Sequence, residues 1–75
     1  MLELIEVTEL IAGRTLRELD LRQTAGINVV GIRLKKPEGI ERLAPDPKRR
    51  LGIGEILVAV GPEKAIAAFR KAVKA

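Results

Sequence analysis

Residues able to catalyse a reaction are few in this 75-residue sequence. Histidine and cysteine are absent, which removes the usual general base near neutral pH and the commonest metal ligands. Threonine without a neighbouring base is not an activated nucleophile. The carboxylates stand beside basic residues, on faces predicted to be exposed or between two prolines: Glu3, Glu6, Glu9, Glu18, Asp20 and Asp46. The sequence therefore predicts no catalytic residue, no metal site and no enzyme activity.

Basic residues are more numerous than acidic ones, and the formal net charge is +4. Proteins that bind nucleic acid usually add aromatic stacking platforms or a groove-reading helix, and Phe69 is the one aromatic residue. A solvated basic surface or a site for a phosphate-bearing small ligand is the better interpretation, and nucleic acid is not expected as a partner. The main cluster comprises Lys35, Lys36, Arg42, Lys48, Arg49 and Arg50.

No apolar run approaches the ~18 residues of a membrane-spanning helix, and the N-terminus lacks a basic-then-apolar signal sequence. We expect a cytoplasmic domain that is peripheral to the membrane and does not insert into it. A core built from aliphatic residues in so short a chain has a thin margin of stability. Burial completed by a second copy is therefore expected, which predicts a homodimer.

Hydrophobic periodicity and turn residues predict six elements, and no linker divides residues 1–75. Near-alternation over residues 1–7 predicts a half-buried strand, and its phase shift between Leu4 and Ile5 suggests an edge strand or a bulge. Thr15 with Glu18 forms a capping box at the start of a short helix. The run EILVAV is apolar on both faces and is predicted to be a central strand after a Gly52–Gly54 turn. The predicted order is strand 1–7, helix 15–21, strand 28–34, strand 40–43, strand 55–60 and a helix opening at Pro62.

This order predicts a single α+β domain, with two helices packed on a small mixed sheet of about four strands. In the strand at residues 28–34, strict alternation places Val30, Ile32 and Leu34 on one face. In the last helix, Ile66, Phe69 and Val73 are the predicted buried stripe.

Two stretches carry a more specific pattern: LIAGRTLRELDLRQTAGINVVGIR at residues 10–33, and Pro45 followed by LGIGEILVAVGPEKAIAAF at residues 51–69. Together they resemble the TrkA C-terminal domain, also called the C-terminal RCK domain, of potassium and cation transport regulators. One departure is Glu55, where that family usually has aspartate. The matching positions of the first stretch are Gly13, Thr15, Leu16, Glu18, Leu19, Asp20, Gly26, Ile27, Val29, Val30 and Ile32.

The resemblance also implies a ligand site, because branches of this family sense cyclic di-AMP at the two-fold interface of paired domains. Arg22, Ile27, Asn28 and Pro45 occupy the matching positions. Arginine would give a forked contact to phosphate, and an asparagine amide suits an adenine edge. Ile27 and Pro45 would supply apolar surface for the base. A purely structural role, in a turn, a loop or a solvated surface, remains the alternative for these residues.

The expected function is non-catalytic regulation of a potassium or other monovalent-cation transporter, with cyclic di-AMP as the candidate effector and no cofactor. The expected partners are a second copy and either a cation channel or antiporter subunit, or a nucleotide-binding RCK N-terminal domain. The alternative is a basic interaction module for nucleic acid or an anionic membrane surface, whose binding would fall steeply with salt.

Overall fold

The computed structural model describes residues 2–74, so the predictions made for Met1 and Ala75 lie outside the described residues. Four strands and three helical segments follow one another in the order β-α-α-β-β-β-α, and the longest connection between them is the loop over residues 44–55. They are β1 (Leu2–Glu6), α1 (Leu16–Leu19), α2 (Leu21–Thr24), β2 (Asn28–Lys36), β3 (Gly39–Leu43), β4 (Ile56–Val60) and α3 (Glu63–Val73).

The four strands form one sheet in the order β1-β4-β2-β3, and each neighbouring pair is antiparallel. The prediction of a mixed sheet is therefore wrong. β1 and β2 do run in the same direction, but β4 lies between them and pairs with both, so no parallel ladder forms among the described strands. The predicted central position of β4 and edge position of β1 are confirmed.

One face of the sheet carries the core. Leu57 and Ala59 of β4 are fully buried there, beneath Ile66 of α3 and Leu21 of α2. Because the core is aliphatic and the chain is short, the core is assembled from side chains of the strands, the helices and the connections between them. The buried residues are Ile5, Val7, Ile11, Leu21, Ile27, Ile32, Leu51, Leu57, Ala59, Ile66 and Val73.

The predicted helix over residues 15–21 is two single turns that break at Asp20. The capping box is confirmed, since the Glu18 backbone N–H donates to Thr15 Oγ1 at 3.1 Å and the Thr15 N–H donates to Glu18 Oε1 at 2.8 Å. Asp20 then adopts the left-handed conformation, with φ 46°. This reversal redirects the chain so that Leu21 begins α2 with its side chain in the core.

A β-bulge between Val29 and Gly31 changes the facing of β2. The prediction that Val30 shares a face with Ile32 is wrong, because Val30 is the extra residue of the bulge. Val30 is 51% exposed, whereas Ile32 is buried and Leu34 packs against the core.

Helix α3 packs through Ile66 and Val73, which are buried, and through the partly buried Phe69, as predicted. Pro62 is its N-cap, so the helix begins at Glu63, one residue later than predicted. Arg70 Nη2 donates to the Leu4 carbonyl at 2.5 Å and so covers part of the edge of β1. None of the helices between residues 2 and 74 is long and apolar enough to cross a membrane.

Candidate functional site

A groove of about 280 Å³ lies where the two short helices meet the start of β2 and the proline-containing loop before β4. Arg22, Asn28 and Pro45, predicted from three separate parts of the sequence, all line it. The Ile27 side chain is 1% exposed and belongs to the core below the start of β2, so it contributes no surface to the groove of the single chain. The full lining is Leu16, Arg17, Asp20, Leu21, Arg22, Asn28, Val29, Pro45 and Pro47.

Arg22 and Asn28 are joined directly across the groove. Arg22 Nε donates to Asn28 Oδ1 at 2.8 Å, which ties α2 to the first residue of β2. Within residues 2–74, the arginine's terminal nitrogens have no hydrogen-bond partner, and the asparagine NH₂ group has none either. A forked cationic donor and an amide donor therefore face the same space, an arrangement suited to a phosphate and a base acceptor.

The proline-containing loop reaches the groove because backbone hydrogen bonds fasten it along residues 13–17. The Arg17 N–H donates to the Pro47 carbonyl at 3.1 Å, and the Leu51 N–H donates to the Arg14 carbonyl at 2.8 Å. Arg50 Nη1 adds a bond to the Gly13 carbonyl at 2.7 Å. The first contact satisfies an N–H group in the first turn of α1, where a helix has no partners of its own for its N–H groups, and the other two satisfy carbonyls just before the helix. They also fix Pro45 and Pro47 beside the helix.

A second set of contacts holds the far end of this loop. Both terminal nitrogens of Arg49 donate to the Glu55 carboxylate at 2.7 Å, and the Gly52 N–H donates to Glu55 Oε1 at 3.0 Å. The bond from Arg49, aided by the one from Gly52, lowers the pKa of Glu55 although burial opposes this shift. The same bond raises the pKa of Arg49. Glu55, which stands where the family that the sequence resembles usually has aspartate, therefore closes the turn at residues 52–55 with a bidentate ion pair to Arg49.

Sequence reasoning missed several lining residues. Arg17 adds a second arginine whose side chain makes no hydrogen bond to any described residue, and Asp20 adds a carboxylate on the same rim. Leu16, Val29 and Pro47 supply the apolar surface that had been expected from Ile27. The position of Arg17 in the predicted helix 15–21, only five residues before Arg22, was the available signal. The contribution of Pro47 depends on long-range docking of the loop, which local patterns do not encode.

Half of the main basic cluster is used within the chain. Lys36 pairs with Glu41 at 2.6 Å, Arg49 pairs with Glu55, and Arg50 bonds the Gly13 carbonyl. These engagements reduce the charge offered to a polyanion. Across residues 2–74, no group of three or more acidic side chains is placed to hold a metal ion.

Solved structures of similar shape include several RCK domains. The chain is 32% identical to the RCK C domain of the potassium transport protein KtrA, which was solved in complex with cyclic di-AMP. The match covers 96% of this chain and 81% of the KtrA chain, with a TM-score of 0.84. Comparison with curated protein sequences yields no match.

Three further structures share the fold at lower identity. The RCK_C domain dimer of Streptococcus agalactiae BusR in complex with cyclic di-AMP is 22% identical (TM-score 0.71), over 93% of this chain and 85% of that one. BusR bound to its promoter DNA matches over 34% of its own chain. The GsuK RCK domain is 23% identical (TM-score 0.73), over 96% of this chain and 16% of that one.

The family matched by sequence is described as the TrkA-C domain, and the match spans residues 2–74. Domains of this family are regulatory and non-catalytic, which confirms that the chain is not an enzyme. The order of elements, the sheet and the two sequence motifs agree with that match, so the chain belongs to the TrkA-C (RCK C-terminal) domain family.

Proposed function

We propose that this domain is a cytoplasmic sensor that binds cyclic di-AMP and thereby regulates a transporter of potassium or another monovalent cation. The observation that carries the proposal is the convergence of Arg22, Asn28 and Pro45 on one groove, in a domain 32% identical to the KtrA domain solved with cyclic di-AMP. Its working form is a homodimer that acts together with a channel or antiporter subunit, or with a nucleotide-binding RCK N-terminal domain.

The size of the groove argues for two copies per ligand. At about 280 Å³ it lies just below the roughly 300–1,000 Å³ typical of small-molecule sites. Cyclic di-AMP is itself two-fold symmetric, with two adenines and two phosphates. A two-fold dimer that brings two such grooves together presents each half of the ligand with the same set of side chains.

The contacts follow from the free groups of the groove. The terminal nitrogens of Arg22 bind a phosphate oxygen, and the Asn28 amide donates to a ring nitrogen of adenine. Leu16 and Pro45 supply apolar surface against the base. Because Arg22 is already oriented by its bond to Asn28, little side-chain freedom is lost when the phosphate arrives.

Regulation requires the ligand to favour one arrangement of the paired domains over another. A ligand that contacts both copies binds the closed pair more tightly than the separated one and shifts the population by that difference in affinity. The domain would pass this shift to a covalently or non-covalently attached transport subunit.

Thermal unfolding followed by far-UV circular dichroism tests the proposal, since the chain has no Trp or Tyr for fluorescence. Cyclic di-AMP at 100 times its Kd should add about 2.7 kcal/mol, or roughly 10–20 °C in Tm for so small a domain. Arg22→Ala should weaken binding about tenfold to a hundredfold, as expected for lost charge-assisted hydrogen bonds.

Arg14→Ala is the matched control, because Arg14 is exposed and does not line the groove. Cyclic di-GMP and AMP are the ligand controls. The proposal fails if cyclic di-AMP at millimolar concentration leaves Tm unchanged, or if Arg14→Ala and Arg22→Ala weaken binding equally. Binding to DNA or anionic vesicles that falls steeply with salt would favour the basic interaction module instead.

A further inference from the structure

The last three residues of β2 have a neighbouring strand on one side only. Residues 34–36 pair with β3, up to the pair that Lys36 forms with Gly39. On the other side, the ladder with β4 stops at the pair of Arg33 with Ile56, where β4 begins. Among residues 2–74, no strand therefore lies beside residues 34–36 on the β4 side, and we call this segment the open edge.

The chain that precedes β4 turns away from the open edge and toward β1. The Val7 N–H donates to the Glu55 carbonyl at 2.8 Å, and the Gly54 N–H donates to the Val7 carbonyl at 3.0 Å. The backbone that would have continued β4 beside the open edge is thereby bonded to the end of β1. Because both backbone groups of a residue point to the same side of a strand and alternate along it, at least one residue of the open edge directs its N–H and C=O away from β3.

A groove of about 400 Å³ lies beside the open edge, and it is larger than the groove of about 280 Å³ at the start of β2. One wall is the open edge itself, and the opposite wall is the turn that contains Ile53 and Gly54. Ile53 is 71% exposed, and Leu34 is half-buried. The two grooves share no lining residue and lie at opposite ends of β2, roughly 26 Å apart along the strand.

Unpaired positive charge lies along the open edge. Lys35 is exposed, and Arg33 two positions earlier lies on the same face of β2. Neither side chain forms an ion pair or a hydrogen bond with any residue from 2 to 74. A strand added at the open edge would place one of its side chains directly opposite Lys35, and opposite charges stabilise such a cross-strand pair.

The two acidic side chains that line the groove do not supply this counter-charge. Glu55 is engaged by Arg49 through two bonds of 2.7 Å. Glu6 lies at the end of β1, two strand spacings or roughly 10 Å from β2. The position beside Lys35 therefore favours a negatively charged partner over a positively charged one.

We propose that the open edge binds an extended acidic segment of another polypeptide, which adds a strand to the sheet in the line of β4. Main-chain hydrogen bonds to residues 34–36 hold the segment, as in strand addition to other sheet edges. Strand alternation then specifies its side chains: an acidic residue lies opposite Lys35, and the apolar residues before and after it lie on the other face, beside Leu34. Ile53 supplies apolar surface on the opposite wall.

The length of the open edge makes this a weak site for a free segment. Three residues of strand span about 10 Å and offer only about two to four main-chain hydrogen bonds. A segment carried by a protein that other contacts already hold next to this domain has an effective concentration in roughly the millimolar range, which compensates for weak binding. The open edge therefore suits a tethered partner rather than a freely diffusing peptide.

Nitrogen–proton correlation NMR of the full chain, titrated with the acetylated and amidated peptide VEVEV, tests the inference. We expect saturable shifts of the amides of residues 34–36 and slower hydrogen exchange there. The peptide VKVKV should bind about tenfold more weakly or less, because it sets like charges opposite Lys35. VEVEV that is N-methylated at alternate residues should lose binding in one phase and keep it in the other, since only one edge of an added strand faces β2.

Lys35→Glu should reverse the preference, so that VKVKV binds more tightly than VEVEV, a result that misfolding cannot produce. Lys64→Glu, a charge reversal on the exposed face of α3, is the matched control and should keep the wild-type preference. Ile53→Asp should weaken VEVEV binding by at least about threefold, because it replaces the apolar wall with a negative charge.

The inference is overturned if millimolar VEVEV leaves the amides of residues 34–36 unshifted, if both phases of N-methylation act equally, or if K35E and K64E show the same preference. Anionic vesicles that shift these amides where VEVEV does not would assign the open edge to a membrane surface and reject the peptide. Cyclic di-AMP binding is a separate measurement. Arg22→Ala should leave VEVEV binding unchanged, and Lys35→Glu should leave cyclic di-AMP binding unchanged, so either proposal can fail without the other.

Discussion

Replacement of Glu55 by glutamine removes the charge from the ion pair that closes the loop bearing Pro45 and Pro47. Arg49 makes two bonds of 2.7 Å to this carboxylate, and the side chains are 30% and 16% exposed for Arg49 and Glu55. Fully exposed pairs contribute about 0.2–1 kcal/mol, whereas single hydrogen bonds to charged groups contribute about 1.5–3 kcal/mol. Partial exposure places this pair between those limits, so we expect Glu55→Gln to lower the free energy of unfolding by about 1–2 kcal/mol.

The loss should depend on pH in a defined direction. The pKa of Glu55 in the folded chain is lowered by its bond to Arg49, so the unfolded chain binds the proton more readily. The carboxylate therefore stabilises the fold above the ordinary glutamate pKa of about 4.3, and this contribution disappears as pH falls through the lower folded value. The difference between wild type and Glu55→Gln should be full at pH 7 and should shrink below pH 4.

Urea unfolding followed by circular dichroism measures these differences, with Arg49→Ala and the double variant completing a mutant cycle. We expect a coupling of about 1–2 kcal/mol between the two positions and a fall in Tm of about 4–16 °C for Glu55→Gln. Lys48→Ala, at an adjacent exposed side chain, should change stability little. A coupling near zero, or a difference at pH 3 equal to that at pH 7, would show that the pair does not hold the loop.

Two further substitutions test local backbone geometry. Asp20→Ala should lower stability by about 1 kcal/mol more than Asp20→Asn, because asparagine tolerates the left-handed conformation between α1 and α2 and alanine does not; equal melting temperatures would contradict this. Gly61→Ala should lower stability by about 1–3 kcal/mol, because a Cβ would lie 3.2 Å from the Gly26 carbonyl oxygen and 3.5 Å from Ile27; an unchanged Tm would show that the start of β2 can shift.

Local patterns predicted the elements that depend on nearby residues. The capping box at Thr15, the apolar run of β4 and the stripe of α3 are set by side chains within a few positions of one another. The position of β4 between β1 and β2 could be predicted only in part from the sequence, because burial on both faces indicates a central strand but does not identify the neighbouring strands. For this reason the sheet was expected to be mixed and is antiparallel.

The sequence predicted a residue of the candidate site only where its side chain suited the ligand and it stood in a recognisable motif. Arg22, Asn28 and Pro45 met that condition and do share a groove. Arg17 and Pro47 did not, since their proximity comes from hydrogen bonds between residues 13–17 and 47–51, which are 30 or more positions apart in the sequence. Burial of Ile27 was likewise hidden, because its place in the core depends on the return of α2 over the start of β2.

The bulge in β2 explains how one strand serves both the core and the groove. In a strand without it, Asn28 would alternate in phase with Ile32 and point into the aliphatic core, where its amide would have no partner. The extra residue at Val30 shifts the alternation of side chains by one position. Val29 therefore packs on the core, and Asn28 pairs with Val60 on the face of the sheet opposite the core. From there its carbonyl oxygen accepts the bond from Arg22. A bulge that re-aims one side chain is a recurrent device beside binding sites, and here it turns the asparagine away from the core and sets it beside Arg22.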